Sequence, residues 1–396
     1  MNKIVNQTQQ ILFILLGVFI PTSIAITNLI IGLLSLCWIL EGSFKTKFEF
    51  IKSSKWMLLT FALIGLYCLG MLWGEQHLNA GWQFQRLALL LVFPILSTLN
   101  LKQVTLKNAV IAFLITTFLS ALIAIAINSR LILPLDEYFS FLDYNWHVSA
   151  FIKYNYHNVL LALAFTISVY ILFEKKTKYP FLLLLFIIVY AISIFTERGR
   201  AGQVIFNLVS LFYIIYYNIK REYILRGLAF FLLLLLFQAV IYNSTNVYKD
   251  RFDAVSNIIQ NNGDRGEGKT DDIRYVFVKE SLGRIIQNPI LGYGTGSFGI
   301  IFKNEVNSGH YFDNHTTPHN QYLYVWFELG ILGLLLLLSI FYYQIRELFK
   351  KKDGAHRILL PLSFMFLMLV DSYFFIFILT IAYIYLFTIY SRYQSE

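Results

Sequence analysis

The chain has 396 residues, 57% of them hydrophobic and only 14% charged, with 37 Phe and 26 Tyr. Such a composition, arranged in repeated long apolar runs, excludes an ordinary soluble domain and specifies an integral membrane protein. The formal net charge of +9 does not point to nucleic acid, because the charges punctuate apolar segments instead of forming one patch.

Taken in order, the apolar runs predict about twelve spanning helices, each roughly the length that 1.5 Å per residue requires for the hydrocarbon core. They fall near 9–25, 27–41, 56–73, 84–99, 108–128, 157–173, 180–196, 202–218, 224–242, 320–343, 357–371 and 373–391. The first run reads as a spanning helix, not a signal peptide, because similar runs follow it. Cys37 and Cys68 lie inside these runs and are expected as small buried hydrophobes, with no disulfide framework or metal site implied.

Lysine and arginine set the orientation. Lys45, Lys47, Lys52 and Lys55 follow the second span, and Lys102 and Lys107 the fourth. Lys175, Lys176 and Lys178 follow the sixth; Lys220, Arg221 and Arg226 the eighth; Arg346, Lys350, Lys351, Lys352 and Arg357 the tenth. Every one of these connections is even-numbered, so both termini are expected on the cytoplasmic side and the odd connections outside. The expected fold is an all-α polytopic membrane protein. Residues 1–243 hold helices one to nine, 244–318 form one large, partly helical outer loop, and 319–396 hold the last three helices.

A loop of this size is usually functional. Within it, Thr270-Asp271-Asp272 predicts a helix start, with Thr270 as N-cap and acids in the first turn. Ile273, Phe277, Ile285 and Ile286 are its expected buried side, and Asn288-Pro289 its end. Gly292, Gly294 and Gly296 then predict a flexible turn before Phe298.

Several residues have the character needed for chemistry. Arg198 and Arg200 sit in a tight outward link, against the positive-inside bias. Two readings compete: snorkelling arginines or a pair with Glu197, against an anion site in which guanidinium makes two parallel bonds to phosphate. Arg274, in the first turn of the loop helix, is a second candidate, although the loop around it is mixed in sign. His310, His315 and His319 lie close together with Asp313. No His-Glu-x-x-His pair or cysteine ligand accompanies them, so a single functional histidine is favoured over zinc. Imidazole titrates near neutrality and can take a proton from a sugar hydroxyl.

His319 sits where the polar loop meets an apolar helix. Glu328 lies deeper on that helix, where an acid usually faces a partner or a wet cavity. It either steadies the bundle or serves the site. Arg86, with Trp82, marks the outer end of the fourth span, and His157 and Asn158 open the sixth.

Together these residues resemble the O-antigen ligase and polymerase superfamily of bacterial membrane glycosyltransferases. Arg198-Gly199-Arg200-Ala201-Gly202 resembles the family's arginine motif at the start of a span. Asp272-Ile273-Arg274, then Gln287 to Phe298 (QNPILGYGTGSF), resembles its arginine-bearing helix and glycine signature. His319-Asn320-Gln321-Tyr322-Leu323, with Glu328-Leu329-Gly330 and Gly333, resembles its histidine motif. The landmarks cover residues 155–345; the first half matches only in hydropathy. One departure is that the family usually carries a single arginine in the first motif, and here Arg200 fits its spacing slightly better than Arg198.

The resemblance implies transfer of a glycan from undecaprenyl pyrophosphate to a hydroxyl acceptor outside the cytoplasmic membrane, the lipid A–core in ligases. Arg200 and Arg274 are then expected to bind the pyrophosphate, and His319 to orient or deprotonate the acceptor hydroxyl. Arg198, Arg86, Asn320 and Glu328 are further candidates for substrate contact. No cofactor is implied, since the donor carries its own energy, and neither a nucleotide loop nor a metal motif is present. The alternatives are an O-antigen polymerase, a protein O-oligosaccharyltransferase and, in another class, a transporter or flippase of lipid-linked sugars. Unusual charges near one face, without related halves, favour a transferase.

Overall fold

The computed structural model describes residues 2–74, 86–133, 149–174, 177–221, 224–244, 249, 271–305 and 317–394. Of residues 2, 174, 217–221, 224, 226, 271–276 and 303–305 it describes the backbone alone. Among the described residues every regular element is a helix. The first group runs α1 (Asn2–Phe19), α2 (Ile24–Glu41), α3 (Phe44–Ser53), α4 (Lys55–Gly70), α5 (Val92–Thr98) and α6 (Gln103–Asn128). Then come α7 (Tyr154–Glu174), α8 (Pro180–Thr196), α9 (Ala201–Arg221) and α10 (Ile224–Ser244). The loop region supplies α11 (Asp271–Gln287) and α12 (Phe298–Glu305). The chain ends with α13 (Gln321–Phe349), α14 (Gly354–Arg357), α15 (Leu359–Val370), a 3-10 turn at Tyr373–Phe375 and α16 (Phe377–Arg392).

Among the described residues, each predicted apolar run is mostly helix. Five described helices, α2, α6, α7, α10 and α13, are long and apolar enough to cross a bilayer; α3 and α4, bent by 92°, make a sixth if they count as one span. The first run falls on α1 and the others on shorter apolar helices, Arg86–Thr98, Pro180–Thr196, Ala201–Tyr216, Gly354–Val370 and Phe377–Arg392.

Contacts divide the chain into two compact units. The first comprises Met1–Phe13, Ile30–Leu106 and Glu267–Glu396; the second comprises Ile14–Leu29 and Lys107–Gly266. In the first, α13 packs most extensively on α4 and also meets α11 and α15. In the second, α7 packs on α8 and α9, and α9 on α10. The apolar stretch of α7 is 78% buried and that of α10 only 11%, so α7 is the core of its unit and α10 a peripheral helix.

Two expectations about apolar residues are corrected. Cys68 is exposed, whereas Cys37 is buried. The buried stripe of α4 runs through Trp56, Thr60, Leu63, Tyr67 and Gly70, and Cys68 is one residue, or about 100°, past it. Helix α11 ends before Asn288-Pro289 as predicted, but its buried ridge is Phe277, Ser281 and Ile285, spaced four apart. Ile286 falls off that ridge and is 75% exposed. Ile273 and the predicted cap Thr270 lie outside the described side chains.

Candidate functional site

The first unit is built around a break in α13. Gly330 leaves the helix with φ 65° and ψ −168°, a conformation open in practice only to glycine. In an apolar setting the backbone groups that such a break frees must find new partners. The glycine-rich loop provides them. Tyr293 N–H donates to the Phe327 carbonyl at 2.9 Å, Gly294 N–H to the Glu328 carbonyl at 2.8 Å, and Ile331 N–H to the Pro289 carbonyl at 2.9 Å. The Trp326 indole N–H adds a bond to the same Pro289 carbonyl at 3.1 Å.

The glycines belong to a docked loop, not a flexible turn. Gly292, Gly294 and Gly296 all have positive φ and are buried. A side chain on Gly292 would run into the carbonyls of Phe327 and Glu328, and one on Gly294 into Gly74. Thr295 fastens the loop to the end of α4, its N–H donating to the Gly70 carbonyl at 3.0 Å and its hydroxyl to the Tyr67 carbonyl at 2.6 Å.

Glu328 is fully buried, and its Oε1 accepts the Gly296 N–H at 2.9 Å. It thus closes the loop onto the helix. Arg86 is half-buried nearby; its Nη1 donates to the Tyr324 hydroxyl at 3.0 Å, and its charge attracts the Glu328 carboxylate. Both are placed in the protein's interior framework, beside Tyr67 and Tyr324.

His319 lies just before α13, half-buried, with its ring centroid 5.8 Å from that of Phe277. Its φ of 51° is a left-handed conformation, which histidine adopts more readily than most residues but still at some cost. Its Nδ1 is 3.1 Å from Asp371 Oδ1, an oxygen that also accepts the Ser372 N–H at 2.7 Å. A carboxylate can only accept, so Nδ1 carries a hydrogen and a neutral ring keeps its lone pair on Nε2. The pair has the geometry of a general base held by an acid. Asn320 is the N-cap of α13: its Oδ1 accepts from Tyr322 and Leu323 N–H at 3.0 and 3.1 Å, and its Nδ2 donates to the Leu369 carbonyl at 3.1 Å. Its amide is therefore engaged in fixing the backbone beside His319.

In the second unit, Glu197-Arg198-Gly199-Arg200 joins α8 to α9. Arg198 is exposed and Arg200 half-buried, and the Arg200 carbonyl accepts Val204 N–H at 3.2 Å to begin α9. Glu197 turns inward and is 2% exposed. Its Oε1 accepts His157 Nδ1–H at 2.7 Å and the Ser193 hydroxyl at 3.0 Å. Asn158 Oδ1 accepts Gly202 N–H at 2.8 Å, capping α9 from a neighbouring helix, while its Nδ2 donates to the Ile194 carbonyl at 3.0 Å. That close approach explains both motif glycines. A Cβ on Gly199 would stand 2.6 Å from Asn158 Cβ, and one on Gly202 would meet the Asn158 carbonyl and side chain.

Arg274 falls in the first turn of α11, and its side chain lies outside those described. His310, Asp313, His315 and Trp82 lie outside the described residues altogether.

One partner of a candidate site residue, Asp371, escaped the sequence reading, and so did the long-range pairing of His157 and Asn158. Asp371 ends α15 and is the sole acid between Gly354 and Ser395, a signal that its isolation in an apolar stretch already carried. His157 and Asn158 stood out as polar residues opening a span, but nothing in their spacing tied them to a link some 40 residues on.

No curated protein sequence matches the chain. The family model described as O-antigen ligase matches residues 185–338, a stretch that contains Arg198, Arg200, Arg274, His319 and Glu328; the match supports the resemblance to the O-antigen ligase and polymerase superfamily.

Proposed function

We propose that the protein is an O-antigen ligase of the bacterial inner membrane, with about twelve spans, cytoplasmic termini and a periplasmic site. It transfers a glycan from undecaprenyl pyrophosphate to a hydroxyl of the lipid A–core. The family as a whole implies a lipid-linked glycan and a lipid acceptor. The observation that carries the reaction type is the His319–Asp371 pair, a base and its orienting acid at the entrance to α13.

In this reading the acceptor oxygen attacks the anomeric carbon of the donor sugar. The bond from that carbon to the pyrophosphate oxygen breaks, and the hydroxyl proton passes to His319 Nε2. Asp371 holds the ring and stabilises the imidazolium that forms. Undecaprenyl pyrophosphate departs as an anion, and Arg200 and Arg274 offset its growing charge. Arg198 is a further contact to the donor. Arg86, Asn320 and Glu328, candidates for substrate contact by sequence, act here through the framework: Asn320 caps α13, and Arg86 and Glu328 hold Tyr324 and the glycine loop.

Deletion of the gene followed by gel analysis of surface polysaccharide tests the reading. Core-only lipopolysaccharide with accumulated long donor chains is expected. Core bearing a single repeat would identify a polymerase instead, and unchanged polysaccharide would overturn both.

A further inference from the structure

The second unit contains a buried polar relay that the reaction itself does not use. His157 is 0% exposed and Glu197 2% exposed, and their side chains meet at 2.7 Å. The far ring nitrogen of His157, Nε2, lies 2.6 Å from the hydroxyl of Ser120 on α6. The near oxygen of Glu197 also takes the Ser193 hydroxyl, and its other oxygen, Oε2, is buried without a hydrogen-bond partner among the described residues. The carboxylate thus gathers α7 through His157 and α8 through Ser193, and α6 joins through Ser120 on the far side of the imidazole. That carboxylate belongs to the residue immediately before Arg198.

Burying a histidine and a glutamate in a membrane bundle is costly, and the loss of either partner leaves the other stranded. A simple inter-helix tie could be made with serine or asparagine at less cost. What the carboxylate adds is position. Glu197 is extended, with φ −84° and ψ 159°, where the chain leaves α8, so fixing its side chain fixes the direction in which Arg198 to Arg200 depart. Asn158, the next residue on α7, holds the other end of the same link through Gly202 N–H. Consecutive residues of one buried helix therefore grip the arginine link at both ends.

We infer that His157 and Glu197 are positioning residues for donor binding: they hold the Arg198–Arg200 link in the geometry that receives an anionic diphosphate. This rests on the reading of the link as an anion site.

The test uses the full-length protein in detergent or liposomes, with two readouts. The first is transfer, resolved into KM for the lipid-linked donor and kcat. The second needs no activity: the rate at which a membrane-impermeant maleimide labels the exposed link in an Arg198→Cys reporter on a background with Cys37→Ala and Cys68→Ala. Glu197→Ala and His157→Ala are expected to raise donor KM and lower kcat, together reducing kcat/KM about tenfold, and to change the labelling rate severalfold. Glu197→Gln, which keeps an acceptor for His157, should stay within about threefold of wild type. Folded alanine variants with wild-type kcat/KM and labelling overturn the proposal.

If the alanine variants do not accumulate, the exchanged pair His157→Glu with Glu197→His restores the bond with its ends reversed. Accumulation and labelling closer to wild type than in either single exchange support the proposal; no improvement overturns it. A changed labelling rate combined with full activity of Arg198→Ala and Arg200→Ala would leave the grip on the link intact and remove the anion-site reading instead.

Discussion

Glu328 reaches across 32 residues of sequence to accept the Gly296 N–H at 2.9 Å. Two sequence motifs that read as separate signatures are therefore parts of one construction. The glycine loop supplies backbone donors, and the broken helix supplies the carbonyls of Phe327 and Glu328 and one carboxylate oxygen. Removing that oxygen strands a buried N–H, at a cost of about 1–3 kcal/mol. Glu328→Ala is expected to lower thermal stability by that amount and to reduce transfer with it. Glu328→Gln keeps the acceptor and should retain most of both. A transfer defect in Glu328→Gln at full stability would give Glu328 a direct part in the reaction.

Gly330 is a sharper test of the same construction. Alanine there must adopt φ near +65° and would press into the Ile290 carbonyl, so Gly330→Ala should cost about 2–4 kcal/mol and abolish activity through loss of the docked loop. Gly283 is the control. It lies in α11 with nothing within 4 Å of the place a methyl would occupy, and Gly283→Ala should be neutral or stabilise by about 0.5–1 kcal/mol through helix propensity. Calorimetric or fluorescence melts of the two variants decide it; equal tolerance would mean the break in α13 is not required.

The His319–Asp371 pair makes a kinetic prediction. General-base catalysis is worth about 10²–10⁴-fold, so His319→Ala should lose about that much in kcat while the protein still accumulates in the membrane. Asp371→Ala should lose a large part of the same factor, and the double variant should be little worse than His319→Ala alone, because residues acting as a unit are not additive. Independent, multiplying losses would separate Asp371 from the base. Transfer is also expected to survive chelators; loss of activity restored by a divalent ion would return attention to His310, Asp313 and His315.

Hydrophobic period and charge were enough to place helix under every apolar run, because burial in a bilayer leaves the backbone few alternatives. They also located the end of α11, where Asn288-Pro289 stops a helix by local stereochemistry. Long-range pairing was not legible. Asp371 approaches His319 from 52 residues away, and Glu197 meets His157 across 40, at distances set by helix packing and not by any local rule. The glycines show the intermediate case. Their positive φ was foreseeable, but a left-handed turn that floats and one that is docked into a broken helix have the same local sequence requirements. Only Gly330, itself inside the histidine motif, shows which applies.

Arg198 and Arg200 are distinguished by their surroundings. Arg200 is half-buried and its carbonyl opens α9, so its side chain starts from a fixed backbone beside the positive end of a helix dipole. Arg198 is exposed. In the proposed reaction, a guanidinium that starts from a pre-set backbone loses less conformational entropy on binding a diphosphate, so the larger share is expected of Arg200. Arg200→Ala is expected to reduce kcat/KM for the donor by at least a hundredfold and Arg198→Ala by about tenfold or less. Lysine at position 200 keeps the charge but not the two-pronged geometry, so Arg200→Lys should recover only a small part of the loss. The same comparison at Arg274 separates planar recognition from simple charge there. A larger effect at Arg198 than at Arg200, measured with donor at saturating acceptor, would reverse the assignment and make the exposed guanidinium the principal phosphate contact.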